Sequence, residues 1–263
     1  MRPADATPAP AILTRDDGAT IAYHATGARP GGDLPGVVFL TGLMSDMTGT
    51  KALALERFCR HRGQAFLRFD YRGHGASSER FEDTCVGEWA DDAIAVIDRL
   101  TEGPQVLVGS SLGGWIMLLA ALARPARVKG LVGVAAAPDC TEAMWTRMDG
   151  QARARIERDG VTHVPSPYHD QPYAISRRLI EEGRRHLVLG AAIPITCPVR
   201  LLHGMADADV PWETAIRLAE RMTGADVTVT LIKHAGHRLS EPPELARIEA
   251  AIAEFDERTT PLS

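Results

Sequence analysis

Five residues, Gly109-Ser110-Ser111-Leu112-Gly113, constrain this chain more than any others. They follow a short apolar run, Val106-Leu107-Val108, and lead into an apolar stretch from Trp115 to Leu122 that reads as a helix. A Gly-x-Ser-x-Gly turn between a strand and a helix is sharp. Residues two before and two after the serine face crowded backbone, and Gly109 and Gly113 have no Cβ to clash there. Such a turn lifts Ser111, rather than Ser110, above the end of a sheet. A serine displayed this way is a candidate nucleophile, and it needs a base and an orienting acid elsewhere in the chain.

The surrounding pattern supplies a sheet. Ile12 to Arg15 and Thr20 to His24 flank Asp16-Asp17-Gly18, a hairpin signal. Val37 to Leu40, Ala65 to Phe69, Gln105 to Val108, Val128 to Val134, 199–203 and 227–232 read as strands. Helical spacing runs over Thr50 to Cys59 and Trp89 to Leu100. Strands alternating with helices predict an α/β fold with a mainly parallel sheet and helices on both faces. Working loops then gather at the carboxyl ends of the strands. From Val134 to Val199 the chain runs for about sixty residues, where a single crossover needs about a dozen. The surplus, about 139–190, is expected to form a small inserted helical cap, with helices over Trp145 to Ile156 and Ile175 to Leu187 and a Pro-rich loop, Val164-Pro165-Ser166-Pro167-Tyr168, between them. Residues 1–10 are expected to be a disordered tail, and 11–260 one domain.

Composition narrows the classes. With 263 residues and 45% apolar content the chain can bury a large core. A net charge of −5 without a basic block argues against a nucleic-acid binder. No apolar run reaches the roughly 18 residues of a membrane span, and the start, Met1-Arg2-Pro3-Ala4-Asp5, lacks the apolar stretch of a secretory leader. The expected location is cytoplasmic. Cys59, Cys85, Cys140 and Cys197 form no Cys-x-x-Cys pair and are expected to be reduced thiols.

In the chain order Ser, acid, His, the acid is expected at Asp207, just past the apolar strand at 199–203; Asp209 and Asp139 are alternatives at strand ends. The base is His237, in Lys233-His234-Ala235-Gly236-His237, with Gly236 expected to let that loop approach the site. His203 reads as a structural strand-end residue and His74 as a loop-packing residue; His163, His169 and His186 fall in the cap or on exposed helices. His234 and His237 have a spacing that a metal could use, but no recognised ligand pattern surrounds them, so neither metal nor cofactor is expected. When Ser111 attacks a carbonyl, backbone N–H groups must hold the oxyanion. Leu112 is the expected first donor. Leu43, after Thr41-Gly42, is the expected second, with Met44 as an alternative. Met144, Trp145, Leu179, Leu187 and Leu189 are candidate walls for an acyl chain. Arg177, Arg178, Arg184 and Arg185 read either as a solvated face or as a steering group for anionic substrates.

Further stretches carry a resemblance. They are Met47 to Ala54, Arg68-Phe69-Asp70-Tyr71, Val108 to Trp115, Ala123-Arg124-Pro125, Arg200 to Met205, Val210-Pro211-Trp212, Lys233-His234 and His237-Arg238. On these the chain resembles the α/β-hydrolase superfamily. More narrowly it resembles the mitochondrial acyl-protein (palmitoyl-protein) thioesterases, also described as mycophenolic acid acyl-glucuronide esterases. The resemblance implies an α/β-hydrolase fold and a Ser111–Asp207–His237 triad. It also implies hydrolysis of acyl thioesters or activated carboxylic esters through an acyl-enzyme. Thr41-Gly42 stands where many hydrolases carry His-Gly, and mitochondrial targeting is not carried over. The alternatives are a carbon–carbon bond hydrolase or perhydrolase on the same triad, or a non-catalytic ligand-binding module. Acyl length, physiological substrate and oligomeric state are not specified by the residues.

Overall fold

A computed structural model describes residues 8–166 and 172–256. Its elements are β1 (Ala11–Thr14), β2 (Thr20–Thr26), β3 (Gly36–Leu40), α1 (Thr50–Arg62), β4 (Phe66–Phe69), α2 (Val86–Leu100), β5 (Gln105–Ser110), α3 (Leu112–Ala123) and β6 (Val128–Val134). An insert follows, with α4 (Cys140–Arg147), α5 (Gly150–Asp159), β7 (Val161–Val164), β8 (Tyr173–Ser176) and α6 (Arg177–Gly183). The chain then returns through β9 (Val199–Gly204), α7 (Glu213–Arg221), β10 (Val227–Ile232) and α8 (Pro242–Ala253).

Among the described residues, eight strands form one sheet in the order β1-β2-β4-β3-β5-β6-β9-β10. The β1–β2 and β2–β4 pairs are antiparallel and the others parallel. Period-two alternation sends side chains to opposite faces. Val37, Phe39, Val106 and Val108 pack with Leu55 of α1 and Ile248 and Ile252 of α8. Val38, Leu40 and Leu107 pack with Trp89 and Val96 of α2, Trp115 and Ile116 of α3 and Leu218 of α7. Helices therefore cover both faces, as an internal parallel sheet requires.

The connection from β3 runs to β4 on one side, and the chain then re-enters at β5 on the other. β3 and β5 are neighbours whose following loops part in opposite directions, and such a crevice is where α/β sheets place ligands. The loop after β3 and Ser111 after β5 both lie there.

The insert differs from its expected pair of helices. The expected helix over Trp145 to Ile156 breaks at Met148-Asp149, because Asp149 caps a new helix by accepting the Ala152 N–H at 2.7 Å. The expected helix from Ile175 begins instead as β8, paired antiparallel with β7, and Ser176 caps α6 through the Leu179 N–H. That hairpin pairs residues across a long loop, a contact that local periodicity does not encode. Residues 1–7 of the expected tail, 257–260 of the expected domain, and Pro167, Tyr168 and His169 lie outside the described residues.

Candidate active site

Ser111 sits between β5 and α3 with φ 54° and ψ −120°, a strained conformation for a residue with a side chain. The turn is fixed from both sides. The Ser111 N–H donates to the Val134 carbonyl, and its own carbonyl accepts from Gly114 and Ala137. A Cβ on Gly109 would strike the Gly113 carbonyl, and one on Gly113 would strike the Leu40 carbonyl. The two glycines therefore let the start of α3 press against the ends of β3 and β5. Gly114 meets the same limit against Ala136, a constraint outside the five-residue motif.

The histidine and acid arrive on adjacent loops, after β9 and after β10. These loops are stitched together by Met205 N–H to Ile232 O and Ala206 N–H to Ala235 O. Gly204 permits the approach, since a Cβ there would strike the Ala235 carbonyl. Gly236 does not have the role expected of it: a Cβ there would meet only the Ala206 carbonyl, at 4.0 Å.

His237 bridges the other two residues. Its Nε2 lies 3.0 Å from Ser111 Oγ and its Nδ1 lies 2.8 Å from Asp207 Oδ2. The carboxylate fixes the tautomer: Nδ1–H donates to Asp207, so the Nε2 lone pair faces the Ser111 hydroxyl. The Asp207 side chain is fully buried. Oδ2 also accepts from His203 Nε2 at 3.0 Å, and Oδ1 accepts from the Asp209 and Val210 N–H groups, both at 2.9 Å. Burial alone would raise the Asp207 carboxyl. The hydrogen bonds from His203, His237 and Val210 outweigh it and hold the group well below the usual carboxylate range. Asp207 is thus an anion wherever the protein is folded and near neutral pH.

The rival acids are occupied differently. Asp139 turns to the insert and accepts from the Val188 and Leu189 N–H groups at 2.8 and 3.0 Å. Asp209 reaches Asp207 through its backbone N–H. His203 is more than a strand-end residue. It is fully buried, and its Nε2–H is shared between Asp207 Oδ2 and the Val210 carbonyl. His74 packs edge-on against Tyr71, Phe81 and Trp89, in keeping with a packing role. Asp207, Asp209 and His237 each bring one metal-capable atom within 4.8 Å of the others. Asp207's oxygens already accept four N–H donors.

A cavity of about 490 Å³ opens beside Ser111. Leu43 and Leu112 line it, and Gly42 lies so close that a Cβ on it would be 3.4 Å from the Ser111 Cβ. Leu112 is the first residue of α3, and N–H groups in the first turn have no partner within the helix. Met44, the alternative donor, has a left-handed φ of 50°. The insert supplies an apolar wall of Met144, Met148, Val164, Tyr173 and Ile175. Only Met144 of the expected wall residues lines the cavity. Leu179 and Leu189 are buried in the core, Leu187 is exposed, and Trp145 packs beneath the Arg153 and Arg184 guanidinium groups. Val164, Tyr173 and Ile175 were missed because β7 and β8 were, and Met148 because the break after α4 was.

Arg177, Arg178 and Arg184 are engaged with the protein itself, at Ile156 O, Glu88 and Glu142, and neither they nor Arg185 line the cavity beside Ser111. The basic residues along the cavity are Lys51, Arg147 and Arg238. Lys51 Nζ donates to the Arg238 carbonyl, and burial, then the Arg238 charge, push its ammonium down to about 8. Cys140 also lines the cavity, but burial pushes its thiol up to about 12, so it is no nucleophile near neutral pH.

The model of the alpha/beta hydrolase family matches residues 30–248. The chain belongs to the alpha/beta hydrolase family. This hydrolase is 45% identical to the palmitoyl-protein thioesterase ABHD10, mitochondrial, of Bos taurus, over 89% of this chain and 76% of the relative. It is 43% identical to the Homo sapiens protein of the same name over the same shares. Among solved structures, alpha/beta hydrolase domain-containing protein 10 from mouse matches with a TM-score of 0.85 and 38% identity, covering 94% of this chain and 98% of that one. A putative hydrolase from Agrobacterium vitis S4 matches with a TM-score of 0.90 and 36% identity, covering 95% and 100%. The bovine and human relatives are named as mitochondrial, which overturns the cytoplasmic location expected from the sequence. That expectation rested on missing leader and span features, and neither absence specifies a compartment. Among the described residues no helix is long and apolar enough to cross a membrane.

Proposed function

We propose that this hydrolase cleaves acyl thioesters or carboxylic esters through an acyl-enzyme on Ser111, with Asp207 and His237 completing a triad. The observation that carries this is the His237 imidazole, within hydrogen-bond reach of Ser111 Oγ on one side and Asp207 Oδ2 on the other. His237 Nε2 takes the Ser111 proton as Oγ attacks the acyl carbonyl. The resulting oxyanion accepts from the Leu112 and Leu43 N–H groups. As the tetrahedral intermediate collapses, His237 returns its proton to the leaving thiol or alcohol. Water, deprotonated by the same imidazole, then releases the acid. Asp207 stays ionised throughout and stabilises the imidazolium.

The insert at about 139–190 serves as the cap. Its apolar wall, together with relatives named as palmitoyl-protein thioesterases, favours an apolar acyl group in the cavity. Intact-protein mass spectrometry after mixing with an acyl thioester is expected to show one acyl adduct, and a fluorophosphonate is expected to label the same serine. Both signals should vanish in Ser111→Ala with the fold retained. Turnover that survives this substitution rules the reading out.

A further inference from the structure

Arg68-Phe69-Asp70-Tyr71 stands out in the sequence, yet the triad uses none of it. Arg68 and Asp70 lie two residues apart at the end of β4 and are 2% and 1% exposed. Both reach the loop that leaves β3, and both grip the same residue. Asp70 Oδ1 accepts the Met47 N–H at 2.6 Å, and Arg68 Nη1 donates to the Met47 carbonyl at 3.0 Å. Each is held in turn. Asp70 Oδ2 accepts from the Ala76 N–H, and Arg68 Nε donates to Glu56, which also accepts from Thr26. At the loop's start the Tyr71 hydroxyl lies 3.5 Å from the Thr41 carbonyl. Gly42 and Leu43 follow directly, against Ser111 and in the cavity wall.

Two buried charges are a costly way to support a loop. Apolar residues of similar volume often do as well or better for stability. Charged groups aimed at both the N–H and the C=O of one residue instead fix the orientation of the two peptide units that flank it as well as its position. Burial, the main influence on Asp70, raises its carboxyl, while the hydrogen bonds from the Ala76 and Met47 N–H groups oppose that shift.

We infer that Arg68 and Asp70 are positioning residues that hold the Leu43 N–H at the place where negative charge develops on the substrate carbonyl. This rests on the reading of Ser111 as the nucleophile. Its consequence is a defect confined to oxyanion stabilisation, which a general loosening of the fold would not produce.

The test compares kcat/KM for an aryl ester and for its thionoester, in which sulfur replaces the carbonyl oxygen and accepts hydrogen bonds poorly. Wild type is expected to prefer the oxygen ester. In Asp70→Asn and in Arg68→Lys that preference is expected to narrow by about 10-fold or more, part of what one donor contributes, with the loss in kcat rather than KM. Equal losses on both esters would make the pair merely structural and overturn the inference, as would a wild type indifferent to the replacement. Arg68→Lys keeps the charge and guards against misfolding of Asp70→Asn. A wild type that resists fluorophosphonate and cleaves neither ester would sink the hydrolase reading itself, and this inference with it.

Discussion

Asp207→Asn is the sharpest perturbation available, because the carboxylate accepts four hydrogen bonds and donates none. Its Oδ1 takes the Asp209 and Val210 N–H groups; its Oδ2 takes His237 Nδ1–H and His203 Nε2–H. An amide keeps one acceptor. The two backbone donors cannot change, so the amide oxygen stays with them and the NH₂ replaces Oδ2. That NH₂ donates to His237 Nδ1, which places the imidazole proton on Nε2, facing Ser111 Oγ. The base then has no lone pair where it is needed. Loss of the correct tautomer costs about 10⁴ in kcat, or about 5 kcal/mol of transition-state stabilisation. Stopped-flow turnover of an acyl thioester, normalised to folded protein by circular dichroism, measures the loss. A variant within about tenfold of wild type would contradict the tautomer argument, because one decade is worth only about 1.4 kcal/mol. Labelling by fluorophosphonate should slow in parallel, since it needs the same proton transfer.

Other expectations follow from the same geometry. His203→Leu removes a fully buried donor to Asp207 and is expected to lower kcat by about tenfold, a charge-assisted hydrogen bond being worth about 1.5–3 kcal/mol, read from steady-state kinetics. Gly113→Ala drives a methyl group into the Leu40 carbonyl; a thermal melt should show destabilisation of about 1–3 kcal/mol or loss of soluble protein. Burial lowers the His74 pKa to about 4, whereas the unfolded chain titrates near 6.5. The unfolded state therefore binds more protons between these values, and stability present above about 6.5 is lost as the pH falls toward 4, by roughly 3 kcal/mol. His74→Phe should flatten that part of the melting temperature–pH curve, and an unchanged slope would exclude His74 as its source. Val164→Trp narrows the cavity wall. Each methylene it excludes should cost about fourfold in kcat/KM, from about 0.8 kcal/mol per buried CH₂, seen only with long acyl chains in a chain-length series.

Local rules were sufficient for the framework. The strands at Val128–Val134, 199–204 and 227–232 fall within a residue of where the sequence puts them, the first two because a buried strand needs a short, mostly apolar segment and the last because an edge strand alternates, as Val227-Thr228-Val229-Thr230 does. The tight turn at Ser111 was equally legible, since the crowding that demands Gly109 arises against Gly113 and Gly114, a few positions along. The cap hairpin was not, because Val161 pairs with Ser176 across a loop and neither strand is long enough to announce itself.

Which acid faces His237 was decided in three dimensions. Asp139, Asp207 and Asp209 all follow strands, and nothing in their neighbours' identities separates them by physics alone. The fold turns Asp139 toward Val188 and Leu189 and brings Asp207 to the imidazole. His203's bond to Asp207 and the hold of Arg68 and Asp70 on Met47 are likewise contacts between distant segments. Sequence determines what a short stretch of backbone can tolerate, because sterics act between near neighbours. Which charges meet, and in what orientation, depends on how strands from far apart in the chain come to lie side by side.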